Sequence, residues 1–181
     1  MNIVIDPAVS SLLALGGAAL FGWAAAHKLR TREAFAATLA EHRLVPQRLV
    51  AFTALVLAVV ELATAAMLLW PDTRSLGGVV GAVLLVIYAS AITINLARGR
   101  KDLDCGCGLR PRAIGGWMVA RNLIVAVLLG LLWLPLSDRA LGAADFATIV
   151  ATLLIGALLY ASIELLLGRA MPRDLFSAER S

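Results

Sequence analysis

Five long apolar segments, separated by short polar connections, constrain this chain more than any other feature. They lie at about 7–27, 47–70, 76–97, 117–134 and 145–167. Each approaches the length of about 20 residues that a helix needs to cross the hydrocarbon core of a bilayer. Hydrophobic residues make up 61% of the chain, too many for a soluble surface. The sequence therefore predicts an all-α integral membrane bundle of five transmembrane helices, forming a single membrane domain over 1–181.

The first apolar segment is predicted to be a retained helix and not a cleaved signal peptide. No Lys or Arg precedes it, and no small-residue cleavage site follows it. Pro7 suits the first turn of a helix, where its missing N–H would have no partner. Small residues at every fourth position predict a face for close helix packing: Ala14, Ala18, Gly22 and Ala26.

A more polar stretch, 31–44, follows this segment and cannot span. Thr31 suits the cap of a short helix, and Phe35 and Leu39 fall on one face of it. A helix with one apolar face and charged residues elsewhere lies in the membrane interface. We therefore predict a short interfacial amphipathic helix between the first two spans.

Basic residues are distributed unevenly among the connections. The first and third connections and the C-terminal tail hold 13 Lys and Arg, whereas the second and fourth connections hold only Arg74 and Arg139. Cytoplasmic loops carry the excess of basic residues. The pattern predicts a multi-pass plasma-membrane protein with its N-terminus outside and its third connection cytoplasmic. Orientation in the bilayer also explains why the chain has a net charge of +4, because the basic residues lie in the connections. Nucleic acid is therefore not a predicted partner.

The third connection, at 98–116, holds both cysteines of the chain, Cys105 and Cys107, after Asp104 and around Gly106. A disulfide between residues two apart needs a sharply bent backbone, which glycine permits. Strain raises the reduction potential of such a bond and makes it exchange readily. The surrounding Arg and Lys residues outnumber the acidic ones and favour the reactive thiolate. The loop therefore predicts a redox-active pair.

Metal binding is the competing interpretation of the cysteines. His27 and His42 fall on the same predicted side, but the spacing of these four residues differs from the usual zinc signatures. We expect His27 to end a helix and His42 to be solvated. A non-enzymatic soft-metal carrier, or an assembly factor that uses the cysteines to bind a partner, remains the alternative to an enzyme.

An acidic residue, Glu61, lies near the middle of the second apolar segment, where an ionisable side chain needs a partner. Tyr88 and Tyr160 fall at similar depth, and either can donate a hydrogen bond to it. Because desolvation disfavours the charged form of a carboxyl group, a neutral glutamic acid is expected here.

Further polar residues lie nearer the cytoplasmic ends of the later segments: Asn95, Arg121, Asn122 and Glu164. We expect an ion pair between Arg121 and Glu164. Two interpretations stay open for the group. It either joins helices structurally or forms a polar pocket below the cysteine loop for a substrate, a quinone head group or protons.

The cysteine loop, placed before a Trp-containing helix, resembles the MauE family of methylamine-utilisation membrane proteins, within the wider DoxX-like group. Further likenesses are Phe21 to Leu29 with Lys28, Phe35 and Leu39 ahead of Pro46, and Glu61. The resemblance implies a four-helix membrane core and thiol–disulfide exchange with a thioredoxin-like partner. It also implies disulfide formation in the small subunit of methylamine dehydrogenase.

These observations together predict a membrane thiol–disulfide oxidoreductase or electron-transfer protein. Cys105 and Cys107 are its predicted exchanging residues, and the resemblance implies that it supports the maturation of a disulfide-containing or quinone-cofactor enzyme. Supporting roles fall to Asp104, Gly106, Glu61, Asn95 and Arg121. A quinone is the candidate electron acceptor, although no sequence motif identifies one.

Overall fold

The computed structural model describes residues 4–100 and 114–169, and in the last helix it describes the side chains of 143–159, 161 and 162. Within these residues the secondary structure is helical, apart from one isolated bridge between Ile5 and Leu136. The α-helices are α1 (Pro7–Arg30), α2 (Arg32–Glu41), α3 (Val50–Leu69), α4 (Arg74–Ala97), α5 (Gly116–Gly130) and α6 (Ala143–Arg169). This confirms the predicted all-α class.

Four helices, with the short 3-10 turns that extend three of them, are long and apolar enough to cross a membrane. Their ranges are Pro7–Arg30, Gln47–Leu69, Pro71–Ala97 and Gly116–Trp133. The described apolar stretch of α6, Ala143–Leu159, is shorter than these. The protein is therefore a multi-pass helical membrane protein, and a fifth crossing stays a prediction.

The chain divides into two compact units, Met1–Ala140 and Leu141–Ser181. In the first unit α1 packs on α3, α3 packs on α4, and α4 packs on α5. In the second unit α6 begins where the backbone N–H of Gly142 donates to the carboxylate of Asp145, at 2.8 Å.

The core of the first unit is built around small residues and a few larger side chains that fill the remaining space. Its buried members are Ala14, Ala18, Phe21, Ala65, Leu68, Leu84, Leu85, Ala126, Leu129 and Leu132. Gly78 allows α4 to approach α5, because a Cβ there would lie 2.7 Å from the carbonyl oxygen of Leu129. Small residues let transmembrane helices pack at short range, which strengthens the van der Waals attraction between them in lipid.

The buried face of α1 differs from the predicted small-residue stripe. Ala14 and Ala18 are buried as expected, whereas Gly22 and Ala26 are only half-buried. The buried series instead continues through Phe21, Ala25 and Lys28. A constant step of four residues drifts by about 40° per step around an α-helix of 3.6 residues per turn. Alternating steps of four and three keep to one face.

The two ends of α1 are each closed by specific hydrogen bonds. At its start the Asp6 carboxylate accepts from the backbone N–H of Ala8 at 2.8 Å, and Pro7 occupies the first turn as predicted. At its end the hydroxyl of Thr31 donates to the carbonyl of His27 at 2.9 Å. The helix therefore runs three residues beyond the predicted boundary at residue 27, and Lys28 belongs to it.

Candidate functional site

A buried ion pair joins α1 to α3 inside the bundle. The Lys28 ammonium donates to both carboxylate oxygens of Glu61, with Nζ to Oε1 at 2.7 Å and Nζ to Oε2 at 2.8 Å. The exposed fractions of these two side chains are 2% and 1%. From α4, the Tyr88 hydroxyl donates to Oε1 of Glu61 at 2.7 Å. The carboxylate thus accepts three short hydrogen bonds in a site that excludes solvent.

Two aromatic rings lie close to the ammonium. Lys28 Nζ lies 5.1 Å from the ring centre of Phe35 on α2 and 5.5 Å from that of Tyr88. Both distances fall within the range of cation–π attraction, which is stronger in a desolvated site. We call these four residues the charge cluster: Lys28, Phe35, Glu61 and Tyr88. Each of the helices α1 to α4 contributes one of its members.

The depth of the charge cluster follows from helix geometry. Glu61 lies about 17 Å along α3 from Val50, at 1.5 Å per residue. Lys28 lies near the end of α1, but a helical side chain leans toward the N-terminus of its helix, so its ammonium is directed further into the span. Ionisable groups at this depth are costly and are therefore expected to be paired and functional.

The expected bond between Tyr88 and Glu61 is confirmed, but the main partner of Glu61 was missed. Lys28 was counted among the charges of the first connection, and Glu61 was expected to be a neutral acid. The structure corrects both points, because an ammonium group supplies the opposite charge. The partner could have been found from the buried face of α1, because Lys28 follows the buried residue Ala25 by three positions. The side chain of Tyr160 lies outside the described residues.

A second polar group closes the end of α4. The Asn95 side chain is fully buried, and its Nδ2 lies 3.1 Å from Nδ1 of His42 and 3.1 Å from the carbonyl oxygen of Ala91. Arg100 donates to the Asn95 carbonyl Oδ1 at 3.3 Å. Since that oxygen accepts, the amide nitrogen is the donor to His42, and Nδ1 of the imidazole is the acceptor. We call these three side chains the His42–Asn95 cluster: His42, Asn95 and Arg100.

His42 was expected to be solvated, and this is wrong. It ends α2 and is 8% exposed. The polar stretch around His42 gave no sign that the chain folds back at the end of α2, which brings His42 to the end of α4. His27, at the end of α1, is half-buried.

Arg121 lies on α5 and donates to Oδ1 of the neighbouring Asn122 at 3.4 Å. Asn122 is 4% exposed. The ion pair expected between Arg121 and Glu164 is untested, because the side chain of Glu164 lies outside the described residues. The structure thus separates the predicted site residues, with Glu61 in the charge cluster and Asn95 in the His42–Asn95 cluster.

The cysteine loop connects the described residues Arg100 and Ile114. Asp104, Cys105, Gly106 and Cys107 lie outside the described residues, so their roles stay predictions. Among the residues that the structure describes, no three His, Cys, Asp or Glu side chains are grouped as a metal site would require.

A bundle of apolar helices with a fully buried ion pair at membrane depth defines the class: a multi-pass membrane protein with an intramembrane polar site. The chain belongs to the MauE family. The family described as methylamine utilisation protein MauE matches residues 6–135, which confirms the resemblance inferred from the cysteine loop.

Curated relatives match 70 to 92% of the chain. The MauE protein of Methylophilus methylotrophus is 34% identical, covering 92% of this chain and 90% of the relative. That of Paracoccus versutus is 37% identical, covering 92% and 91%. That of Paracoccus denitrificans is 37% identical, covering 70% and 69%. No solved structure matches the chain.

Proposed function

We propose that this protein is a membrane thiol–disulfide oxidoreductase that serves methylamine utilisation, with Cys105 and Cys107 as its exchanging pair. The observation that carries the proposal is that the chain's two cysteines stand one glycine apart in the connection between α4 and α5. The names of the relatives, which are methylamine utilisation proteins, support the physiological context.

The proposed chemistry is reversible exchange with a thioredoxin-like partner. A thiolate of this pair attacks the partner's disulfide, which forms a mixed disulfide and releases one partner thiolate. The second cysteine then attacks the mixed disulfide and releases the other. Cys105 and Cys107 are thereby oxidised to a disulfide, and the partner gains two electrons and two protons as a dithiol. The reverse sequence oxidises a partner dithiol. Asp104 and Gly106 shape the loop in this proposal.

The His42–Asn95 cluster supports the proposal by anchoring the chain where the cysteine loop begins. The backbone N–H of Arg100 donates to the Asn95 carbonyl at 3.0 Å, while its guanidinium donates to the Asn95 side chain. Asn95 is thus a positioning residue for the start of the loop. Arg121 and the charge cluster hold the helices beneath it in this scheme.

The proposed location is the plasma membrane, with the N-terminus outside and the cysteine loop cytoplasmic. A cytoplasmic loop would draw electrons from a cytoplasmic reductant or act on a cytoplasmic partner. Maturation of an exported enzyme would instead require thiols on the outer side. The side of the membrane on which the two thiols lie therefore determines the compartment in which the partner is found.

The test uses the variants Cys105→Ser and Cys107→Ser, singly and together, in cells that grow on methylamine. The single variant that keeps the attacking cysteine should accumulate a mixed disulfide, seen as a reducible shift on a non-reducing gel, and both single variants should lose growth on methylamine. The double variant is the matched control and should show no shift. Normal growth of the double variant would refute the proposal. Co-purification of a soft metal with the wild-type chain, without any mixed disulfide, would favour the carrier alternative.

A further inference from the structure

A pocket of about 260 Å³ lies between the end of α1, the start of α2 and one face of α3. Lys28, Arg32 and Phe35 line one side of it, and Ala51, Ala54 and Ala58 line the other. The three alanines fall at helical spacing on one face of α3, where their methyl groups leave room that larger side chains would fill. The volume suits a single ring head group and not a whole lipid.

The pocket borders an apolar span. Its alanine side belongs to the apolar span Gln47–Leu69, whose mean hydropathy is 2.3. Ala51 and Ala58 lie about 6 and 17 Å along that span from its start, at 1.5 Å per residue. A lipid-soluble ligand can therefore reach this side of the pocket.

The charges around the pocket favour a neutral ligand. Lys28 is already balanced by Glu61, and the lining residues Arg32 and Glu33 carry opposite charges. An anionic ligand would bring a second negative charge close to the Glu61 carboxylate. A lysine ammonium has three N–H groups, and among the described residues only the two oxygens of Glu61 accept from it, which leaves one N–H for a neutral acceptor.

The lining also suits a flat, carbonyl-bearing ring. Phe35 presents an aromatic ring, and aromatic faces stack on other planar π-systems. Ligand pockets combine such apolar walls with a few placed polar groups that orient the ligand. We propose that this pocket binds the ring of a lipid-soluble quinone, with a ring carbonyl accepting a hydrogen bond from Lys28.

The role of the quinone rests on the proposed function. Oxidation of the Cys105 and Cys107 dithiol to a disulfide releases two electrons and two protons. Reduction of a quinone to a quinol consumes two electrons and two protons, so the two half-reactions balance. The pocket would thus supply the electron acceptor for a dithiol that is oxidised in turnover.

The test measures equilibrium binding of decylubiquinone to the purified full chain in quinone-free lipid nanodiscs. Ala51→Leu fills the pocket and should weaken binding by about tenfold or more. Ala63→Leu adds the same side chain to an exposed position on the same helix and should leave binding within about twofold. A photoreactive azido-quinone should label peptides that contain residues 28–36 or 51–58.

Three results would overturn the inference: equal affinities of the Ala51→Leu and Ala63→Leu proteins, labelling elsewhere in the chain, or displacement of the quinone by phosphatidylglycerol. The last result would assign the pocket to a phospholipid. The protein with both cysteines changed to serine should bind decylubiquinone normally. Binding without thiol exchange would therefore refute the proposed function alone, and exchange without binding would refute the quinone site alone.

Discussion

Lys28 and Glu61 are the residues that the bilayer interior disfavours most. Removing two such charges from water costs several kcal/mol for each ion, and only close pairing with further hydrogen bonds offsets it. Here the carboxylate accepts two bonds from the ammonium and one from Tyr88, while two aromatic rings face the ammonium. The pair therefore joins the interior faces of α1 and α3, and the Tyr88 hydroxyl adds α4 to them.

The first prediction concerns this pair. Lys28→Met and Glu61→Gln should each lower the free energy of unfolding by about 3–5 kcal/mol, because each leaves an unpaired partner in a dry site. The double variant should lose clearly less than the sum of the two. Unfolding in mixed micelles, followed by circular dichroism, measures this, with the exposed Ser90→Ala on α4 as the control. Additive losses would show that the two charges do not act as a pair.

The second prediction concerns the start of α1, where Arg139 donates to both carboxylate oxygens of Asp6, at 2.9 and 3.0 Å. This hydrogen bonding, followed by that from the Ala8 N–H, holds the pKa of Asp6 below its ordinary value of 3.8. Its contribution to stability is therefore present above pH 3.8 and is lost as the pH falls through the lowered pKa.

Arg139→Gln should raise the pKa of Asp6 toward its ordinary value, because the strongest donor to the carboxylate is removed. A carbon NMR titration of aspartate-labelled protein reads this directly. Arg48→Gln, which changes an exposed residue in another connection, should leave the titration unaltered. An Asp6 titration that is the same in all three proteins would contradict the assignment.

At the scale of the helices, the buried polar residues continue regular interior faces. On three helices the residues of these faces follow one another at alternating steps of four and three. The series is 14, 18, 21, 25 and 28 on α1, 54, 58, 61, 65 and 68 on α3, and 81, 85, 88, 92 and 95 on α4. Lys28, Glu61, Tyr88 and Asn95 each stand on such a series. They occupy places that apolar residues usually fill. Lys28, Glu61 and Tyr88 therefore meet one another, and Asn95 meets His42, instead of water or lipid.

The third prediction concerns the contact between α4 and α5. Gly78→Ala should lower the free energy of unfolding by about 1–3 kcal/mol, because its Cβ would press on the backbone of Leu129. Gly130→Ala is the control, since no atom lies within 4 Å of a Cβ built there. The same micelle unfolding assay compares them. Equal stability of both variants would mean that α4 and α5 are not closely packed at this point.

At the scale of the whole molecule, the distribution of basic residues still favours one orientation. Lys28 is buried in α1 and no longer counts as a connection charge, so the comparison becomes 12 against 2. Orientation follows the connections that carry the excess. Without Lys28, the excess of basic residues still lies on the same side at every membrane crossing.

The fourth prediction is the topology itself. An alkaline phosphatase reporter, which is active only outside the cytoplasm, should be inactive when fused after Arg112 and active when fused after Arg139. Both fusions should be present at equal amounts on an immunoblot, which serves as the control. Strong activity after Arg112 would reverse the proposed orientation and place the thiols outside.

Part of the candidate site was predictable from single residues. Glu61 stands out because a carboxylate interrupts a long apolar run, and matching depth predicted a hydrogen bond to it from Tyr88 or Tyr160, of which the structure shows the one from Tyr88. Lys28 was missed because a lysine close to the end of a span is usually an orientation signal. His42 was missed because the polar stretch around it gives no sign that it folds back onto Asn95.

The amino-acid sequence by itself determined the helices, their approximate ends and the membrane class. A bilayer requires long apolar segments with internally bonded backbones, and that requirement is written in local composition. Only the tertiary structure decided which polar side chains meet. The rotation of each helix about its axis depends on packing against its neighbours, so the pairing of Lys28 with Glu61 emerges when α1, α3 and α4 come together.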